Sequence, residues 1–250
     1  MPELSLWLVL IASPFIGSFI AVLALRYPDW RGVAFGRSRC DACGRTLGPL
    51  ELVPVASFLT LRGRCGNCGA PIARMHLAVE LGAVAVAVSA VLLTPGGGVL
   101  YISCLLGWAL LALAAIDART GFLPDLLTYP LIVLGIGLAA LASPNEAADH
   151  AIGAVAGFVI FAAVTVLYRW LRGRDGLGLG DAKLLAAGGA WLGWQALPSV
   201  VLFAAMIGLV FVLARRAVGH TLYAADRIAF GPALALAIWC VWLFGPLVPS

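Results

Sequence analysis

The sequence 105-LLGWALLALAAI-116 contains no charged side chain, and the polar turn 117-DARTGFLPD-125 follows it directly. A second apolar run begins after Pro124 and continues to residue 142. A span of about 20 apolar residues crosses a hydrocarbon core of roughly 30 Å. This stretch therefore predicts two membrane helices joined by a short turn that carries an aspartate at each end.

The whole chain has the composition of a membrane protein. Of its 250 residues, 62% are hydrophobic and 11% are charged, with a mean hydropathy of +1.03, whereas soluble domains carry roughly 25% charged residues. The predicted spans are 4–25, 75–93, 99–116, 126–142, 151–168, 182–197, 198–214 and 229–248. We therefore predict an all-α polytopic membrane protein with about eight transmembrane helices.

The first segment has an alternative interpretation as a secretory signal peptide. It carries Glu3 where a signal peptide has basic residues, and its apolar run exceeds the roughly 7–15 residues of a signal sequence. We expect a retained membrane anchor over residues 4–25.

The basic residues predict the orientation. If the eight segments cross alternately, all 16 Lys and Arg residues fall on one side of the membrane. They are Arg26, Arg31, Arg37, Arg39, Arg45, Arg62, Arg64, Arg74, Arg119, Arg169, Arg172, Arg174, Lys183, Arg215, Arg216 and Arg227. The opposite loops, 94-TPGGG-98, 143-SPNEAADH-150 and 194-WQALP-198, carry none. Because basic loops stay in the cytoplasm, both termini are predicted to lie outside. The net charge of +4 is then an orientation signal, and no nucleic acid partner is expected.

The polar segment 26–74 contains two C-x2-C pairs, 40-CDACG-44 and 65-CGNCG-69. Four thiolates at this spacing suit a tetrahedral zinc ion, and a segment of about 50 residues buries too little apolar surface to fold without such a staple. Glycine after each pair suits a tight turn whose amides point at sulfur. Two disulfides are the alternative, but they are rare in the reducing cytoplasm. We predict a small cytoplasmic loop domain with structural zinc on Cys40, Cys43, Cys65 and Cys68.

Two acids end apolar segments on the predicted cytoplasmic face. Asp117 ends the apolar run quoted above, and Asp181 follows the glycines of 176-GLGLGDAKLL-185. Acids at membrane depth are costly and usually functional. When two carboxyl groups lie close together, ionisation of both is costly, so the pair holds one proton. This is the chemistry of an aspartic protease. The glycines would let the backbone approach an extended peptide closely.

Structural roles for these acids remain open at this point. Asp181 can cap the sixth predicted helix, and Asp117 can be a solvated loop residue that faces Arg119. Asp125 competes as the first catalytic acid, although its place after Pro124 suits a cap of the fourth helix. Glu80 is either a site residue or a capping group that pairs with Arg74.

The chain resembles the type IV prepilin peptidases, a family of GxGD aspartic proteases. The resemblance covers residues 14–245 and rests on several motifs in order. They are 17-GSFIAVLALRYP-28, the paired C-x2-C motifs, 62-RGRCGNCGAPIARMHLAVE-80, 116-IDARTGFLPD-125, 178-GLGDAKLLAAGGAWLGWQ-195 and 230-FGPALAL-236. The chain departs from the usual pattern at Ala21, Tyr27 and Asp175.

The resemblance implies an enzyme of the bacterial inner membrane. Such enzymes cut the basic leader from prepilins and pseudopilins after a glycine, and then methylate the new amino terminus with S-adenosylmethionine. It assigns catalysis to Asp117 and Asp181, with Gly178, Gly180 and Lys183 in the supporting loop, and associates the zinc loop with methylation.

The implied organisation has three parts. These are the first span 1–25, the zinc loop 26–74 and a seven-span peptidase domain 75–250. A peptidase without methyltransferase activity, another GxGD protease and a transporter that uses the membrane acids are the rival interpretations. The acids lie at one face rather than mid-span and no inverted repeat is visible, which disfavours transport.

Overall fold

The structure is built from α-helices, and the cysteine-bearing segment 27–73 lies between the first two long ones. It is a computed structural model that describes residues 2–30, 36–173, 178–219 and 229–247, without the side chains of residues 2–5 and 145. Predictions that concern Arg31, Arg174, Asp175, Gly176, Arg227 and residue 248 lie outside the described residues.

Nine α-helices lie within the described ranges. They are α1 Pro2–Arg26, α2 Ala56–Thr60, α3 Arg74–Leu93, α4 Gly97–Thr120, α5 Asp125–Ala142, α6 Pro144–Arg172, α7 Leu179–Leu192, α8 Leu197–Ala217 and α9 Gly231–Phe244. Short 3-10 turns occupy Pro49–Leu52 and Trp194–Ala196. In the part of the chain that the structure describes, β structure is limited to two isolated bridges, so the predicted all-α class is confirmed.

Each of the eight helices other than α2 overlaps one of the eight predicted spans. Six helices within the described ranges are long and apolar enough to cross a membrane. The remaining two of the eight, α7 and α9, have 14 residues each. The prediction of a polytopic membrane protein is confirmed, with six spans that meet the length criterion.

Helix boundaries differ from the predicted ones where a helix outlasts its apolar run. The helix α4 continues four residues past the predicted end at 116, and the turn begins at Gly121, whose φ is +69°. The helix α6 begins at Pro144, so most of the predicted loop 143–150 is helical. Hydropathy marks the part of a helix that suits lipid, whereas backbone hydrogen bonding continues into polar residues.

The seventh helix is shorter than the predicted segment 182–197. It ends at Leu192 because Gly193 turns the chain with φ +79°. Pro198 then lies in the first turn of α8, where its missing N–H group costs nothing.

The chain divides into two compact units, residues 1–119 and residues 120–250. In the first unit, α1 packs most closely against α3. A Cβ atom at Gly17 would lie 2.7 Å from the Cα atom of Glu80, so only glycine permits this approach. The helix α4 is joined to α3 by a hydrogen bond of 3.1 Å from the Trp108 indole to the Ala83 carbonyl.

In the second unit, α7 is packed by α5, α6, α8 and α9. Every residue from Asp181 to Trp191 except Lys183 is buried. The Trp191 indole donates to the Leu131 carbonyl on α5 at 2.8 Å. A polar or charged side chain introduced at one of these buried positions would leave an unsatisfied group in the core.

Glycines bring the α7 backbone close to its neighbours. A Cβ atom at Gly153 of α6 would lie 2.5 Å from the Gly189 carbonyl oxygen, and one at Gly157 would lie 2.7 Å from that of Leu185. Glycine inside a helix costs roughly 0.5–1 kcal/mol relative to alanine. Close packing between small residues offsets that cost in membrane helices, which lack a hydrophobic driving force between them.

A matched pair of glycines on α5 tests this packing. A Cβ atom at Gly135 would lie 2.6 Å from the Ala190 carbonyl oxygen, whereas one at Gly137 meets nothing within 4 Å. We expect Gly135→Ala to destabilise the protein by about 1–3 kcal/mol because backbone must move. Gly137→Ala should leave stability unchanged or raise it by about 0.5–1 kcal/mol. Melting temperatures of the two purified variants in detergent provide the comparison, and equal melting temperatures would contradict the packing.

Candidate metal centre and active-site carboxylates

The four predicted cysteines meet at one point of the first unit. The sulfur atoms of Cys40, Cys43, Cys65 and Cys68 all lie within 4.8 Å of one another. The Cys40 and Cys68 sulfurs are 3.8 Å apart. A tetrahedron of sulfurs around zinc with bonds of about 2.3 Å has edges of about 3.8 Å. The cluster can therefore hold a metal ion.

The two cysteine pairs adopt the same turn. The Cys40 amide donates to the Arg45 carbonyl at 2.9 Å, and the Cys65 amide donates to the Ala70 carbonyl at 2.8 Å. Isolated bridges pair Arg39 with Thr46 and Arg64 with Pro71. All of these positions repeat at an interval of 25 residues, so the domain consists of two equivalent metal-binding turns.

Glycine makes each turn possible. Gly44 has φ +69° and Gly69 has φ +71°, a left-handed conformation that favours glycine. This geometry aims amides at sulfur, as the sequence predicted. Hydrogen bonds from the Cys68 and Asn67 amides lower the pKa of Cys65 to about 6, and the Arg45 amide lowers that of Cys43.

The thiols also oppose one another's ionisation. The Ala70 amide lowers the pKa of Cys68, but burial and the thiols of Cys65, Cys43 and Cys40 raise it overall to about 11. A divalent cation removes this mutual repulsion because each sulfur then faces positive charge. The donor set and its spacing thus fit a metal ion, and the four thiols form no disulfide in the structure.

An ion pair fastens the first turn to the segment that follows it. Arg45 pairs with Glu51, whose other carboxylate oxygen accepts the Gly48 amide at 2.9 Å. The Gly48 hydrogen bond and the Arg45 charge lower the pKa of Glu51. Residues 48–51 are thereby held against the metal-binding turns.

Asp117 lies inside α4 and is buried, with 5% of its surface exposed. The solvated loop position considered from the sequence is therefore wrong, because the helix continues to Thr120. Arg119 donates to the Ala24 carbonyl at the end of α1, at 3.0 Å. This contact ties the end of α4 to the end of α1 within the first unit.

Asp181 is the third residue of α7 and is 8% exposed. Its Oδ2 atom accepts the Gly178 amide at 3.2 Å, so the carboxylate caps its own helix. The sequence suggested that Asp181 precedes the helix and accepts first-turn amides, but Gly178 is the N-cap residue and Asp181 lies within the first turn. The hydrogen bond from Gly178 fixes the side chain at the start of the helix. Capping occupies one carboxylate oxygen and does not exclude a chemical role for the group.

The supporting residues anchor this end of α7 within the second unit. Lys183 pairs with Asp125, the first residue of α5, at 2.6 Å. A Cβ atom at Gly180 would lie 3.2 Å from the Cβ atom of Leu123, so the glycine admits Leu123 to the helix start. Asp125 does not stand at the cap position that the sequence suggested, which Pro124 occupies; its carboxylate joins the starts of α5 and α7 through Lys183.

Glu80 has a role that the sequence did not reveal. It is 5% exposed, and its Oε2 atom accepts the Val55 amide at 2.7 Å rather than pairing with Arg74. Val55 has φ +61° and ψ −54°, and the Ala56 amide returns to the Pro54 carbonyl at 2.6 Å. This is a γ-turn of the rare strained kind. An acid within the apolar run of α3 was the available signal.

These features define a polytopic, all-α membrane protein with a four-cysteine domain between its first two long helices. The sequence profile described as "Type IV leader peptidase family" matches residues 104–213, and that of the "Bacterial Peptidase A24 N-terminal domain" matches residues 11–94. The chain belongs to the type IV leader peptidase family, a family of proteases, as the resemblance and the predicted enzyme class required.

Relatives match most of the chain. A protein of Burkholderia pseudomallei is 42% identical over 84% of this chain and 67% of the relative. A protein of Aeromonas salmonicida is 36% identical over 98% of this chain and 92% of the relative. A protein of Pseudomonas aeruginosa is 33% identical over 92% of this chain and 87% of the relative. All three are named "Prepilin leader peptidase/N-methyltransferase". No solved structure matches the chain.

Removal of a metal-binding cysteine tests the cluster. We expect the purified protein to carry about one metal ion per chain, since four thiolates satisfy one tetrahedral ion. Cys65→Ser and Cys68→Ser should each lose the ion, whereas Cys240→Ser, a cysteine outside the cluster, should keep it. Elemental analysis of detergent-purified protein provides the measurement. Full metal content in both cluster variants would contradict the assignment.

Proposed function

We propose that this chain is a membrane aspartic endopeptidase that removes the leader of type IV prepilins or pseudopilins. The observation that carries the proposal is the burial of two carboxyl groups in motifs typical of this family, Asp117 near the end of α4 and Asp181 in the first turn of α7. Family membership and the names of the relatives support the substrate class.

The two acids divide the work of peptide hydrolysis. The ionised carboxylate accepts a proton from water, whose oxygen bonds to the scissile carbonyl carbon, while the protonated carboxyl group donates to the carbonyl oxygen. The C–N bond then breaks as the carboxyl group that took the water's proton passes it to the departing amine. The other carboxylate regains its proton from a hydroxyl of the tetrahedral intermediate as the carboxylic acid product forms. No metal is required for this chemistry, so the cysteine cluster has a separate role.

Local structure supports Asp181 in this role. The Gly178 amide holds one carboxylate oxygen, and the Lys183–Asp125 pair fixes the helix start. A carboxylate held by its own backbone keeps one orientation during the reaction. Gly178, Gly180 and Lys183 are thus positioning residues, and Asp117 and Asp181 are the catalytic residues.

Methylation of the new amino terminus is the second proposed activity. The names of the relatives, each a prepilin leader peptidase/N-methyltransferase, support it. S-adenosylmethionine is the proposed donor. The amine nitrogen bonds to the donor's methyl carbon as the C–S bond breaks, the sulfur keeps the electron pair, and a proton leaves the nitrogen.

Zinc is the proposed metal of the cysteine cluster, because sulfur-only tetrahedral sites with no open position are typical of structural zinc. The distribution of Lys and Arg supports cleavage on the cytoplasmic side of the bacterial inner membrane with both termini outside. The division into residues 1–25, 26–74 and 75–250 remains part of the proposal.

Replacement of either catalytic acid tests the cleavage. We expect Asp117→Asn and Asp181→Asn each to abolish leader cleavage, because the amide neither accepts nor releases the proton that hydrolysis moves. Asp149→Asn, on α6 and outside the proposed site, serves as the control with normal cleavage. Cleavage of a prepilin by purified protein in detergent, followed by gel mobility, provides the measurement. Normal cleavage by either Asn variant would refute the mechanism, and loss in Asp125→Asn but not in Asp117→Asn would move the first acid to Asp125.

The two activities separate in one measurement on the product. We expect the mature pilin of cells that contain this protein to begin at the residue after the cleaved glycine and to carry an N-methyl group. Cells without the protein should retain the unmethylated precursor. Mass spectrometry of the pilin amino terminus reports both changes. A cleaved but unmethylated pilin would restrict the function to peptidase activity.

A further inference from the structure

The first unit contains a cavity of about 520 Å³ whose lining residues all lie between 18 and 80. Its walls come from α1, the four-cysteine domain and the first two turns of α3. Ligand sites commonly measure roughly 300–1,000 Å³, so the volume suits a small organic molecule. The cavity lies wholly within the part of the chain that the N-terminal domain profile matches, residues 11–94.

The cavity combines an apolar wall with a buried acid. Val22, Leu25, Phe58 and Ile72 provide the apolar surface, and Glu80 lines the cavity from α3. Only 5% of the Glu80 surface is exposed, and its carboxylate accepts one hydrogen bond from a backbone amide, that of Val55. His76, one turn earlier on α3, also lines the cavity and interacts electrostatically with Glu80. A buried carboxylate with one neutral donor retains a strong attraction for a cation.

The close packing of α1 fixes this carboxylate in place. Gly17 brings the α1 backbone to the Cα atom of Glu80, and the strained turn at Val55 holds the other end of the side chain. Strained backbone persists where surrounding structure over-determines it, and it clusters at ligand sites. The fold thus maintains a turn that is unfavourable for valine and that orients the acid.

The remaining charges suit a ligand that carries both signs. Arg26 and Arg39 line the cavity as cations, and Asp41 and Glu51 line it as acids. Glu51 is paired with Arg45, so Glu80 is the most deeply buried of the lining acids. A ligand with an amino acid group and a cationic centre on an otherwise apolar body would match these walls. The arginines would face its carboxylate, and the acids would face its positive charges.

We propose that this cavity binds the methyl donor, a sulfonium-bearing nucleoside of the S-adenosylmethionine class, with the Glu80 carboxylate facing its positive sulfur. The inference rests on the proposed methyltransferase activity and gives it a site. The apolar wall buries the nucleoside, and the arginines face the carboxylate of the amino acid group. Transfer of the methyl group converts the sulfonium into a neutral thioether, so the product loses its attraction to Glu80 and leaves.

Charge selectivity distinguishes this role from a structural one. Purified full-length protein in detergent should bind S-adenosylmethionine about tenfold more tightly than S-adenosylhomocysteine, its neutral counterpart. Glu80→Gln should remove most of that preference and leave affinity for the neutral compound nearly unchanged. The amide oxygen of Gln still accepts the Val55 amide, so the turn is retained. Isothermal titration with both compounds provides the measurement, and melting temperature and metal content verify the fold.

A pair of variants on α2 tests the location independently. Ser57 lines the cavity, whereas Thr60 on the same helix is exposed and does not line it. We expect Ser57→Trp to fill the cavity and reduce donor affinity at least tenfold, and Thr60→Trp to leave the affinity unchanged. Glu146→Gln, an exposed acid in the second unit, should also bind the donor as the native chain does.

The outcomes separate the site from the activity. An equal loss of affinity for both compounds in Glu80→Gln, or undiminished affinity for the donor in Ser57→Trp, would overturn this site. Neither result would contradict the proposed methylation of pilin. Absence of donor binding by the native protein, together with unmethylated pilin, would overturn both the site and the proposed methyltransferase activity. Loss of selectivity in Glu80→Gln together with loss of binding in Ser57→Trp would establish the site.

Discussion

The second unit depends on the close approach of backbones around α7. Small residues allow α5 and α6 to touch its carbonyl groups, with Gly153 and Gly189 in contact at the centre. Lipid tails are as apolar as the side chains of these helices, so burial of apolar surface does not drive the helices together. Membrane helices therefore associate through close packing. The helix that carries Asp181 is therefore held by shape. A larger side chain at these contacts would displace the helix, and with it the start of the helix where the carboxylate is capped.

The sequence was sufficient for the helices but not for their ends. Apolar runs located the six long helices and the two shorter ones, α7 and α9, because a membrane segment must satisfy its own backbone hydrogen bonds. The predicted end of α4 and the predicted start of α6 were wrong because a helix continues into polar residues beyond its apolar part. For Asp117 this difference matters, since it places the acid in a helical turn and buries it. The early end of α7 depends on the left-handed Gly193, which hydropathy does not register.

The cysteine domain shows which part of a site a sequence can reveal. Two short motifs and the glycines after them predicted the four-cysteine cluster, because the spacing of ligands within each turn is local. The contact between Glu80 and Val55 joins residues 25 positions apart through a turn with an unusual φ angle. No local sequence pattern predicts such a contact, and the only signal in the sequence was an acid, Glu80, within an apolar run. The pairing of Asp117 with Asp181 likewise remains a prediction from the family motifs.

The brevity of α7 has a consequence for the bilayer itself. With 14 residues and a rise of about 1.5 Å for each, the helix measures about 21 Å, against a hydrocarbon thickness of roughly 30 Å. Because protein rather than lipid surrounds α7, the shortfall places its ends within the depth of the membrane, where backbone outside a helix is buried in protein or lines water. Hydrolysis consumes a water molecule, and the hydrocarbon core of the bilayer contains almost none. The shortfall in length thus offers the proposed chemistry at Asp181 a supply of solvent inside the thickness of the membrane.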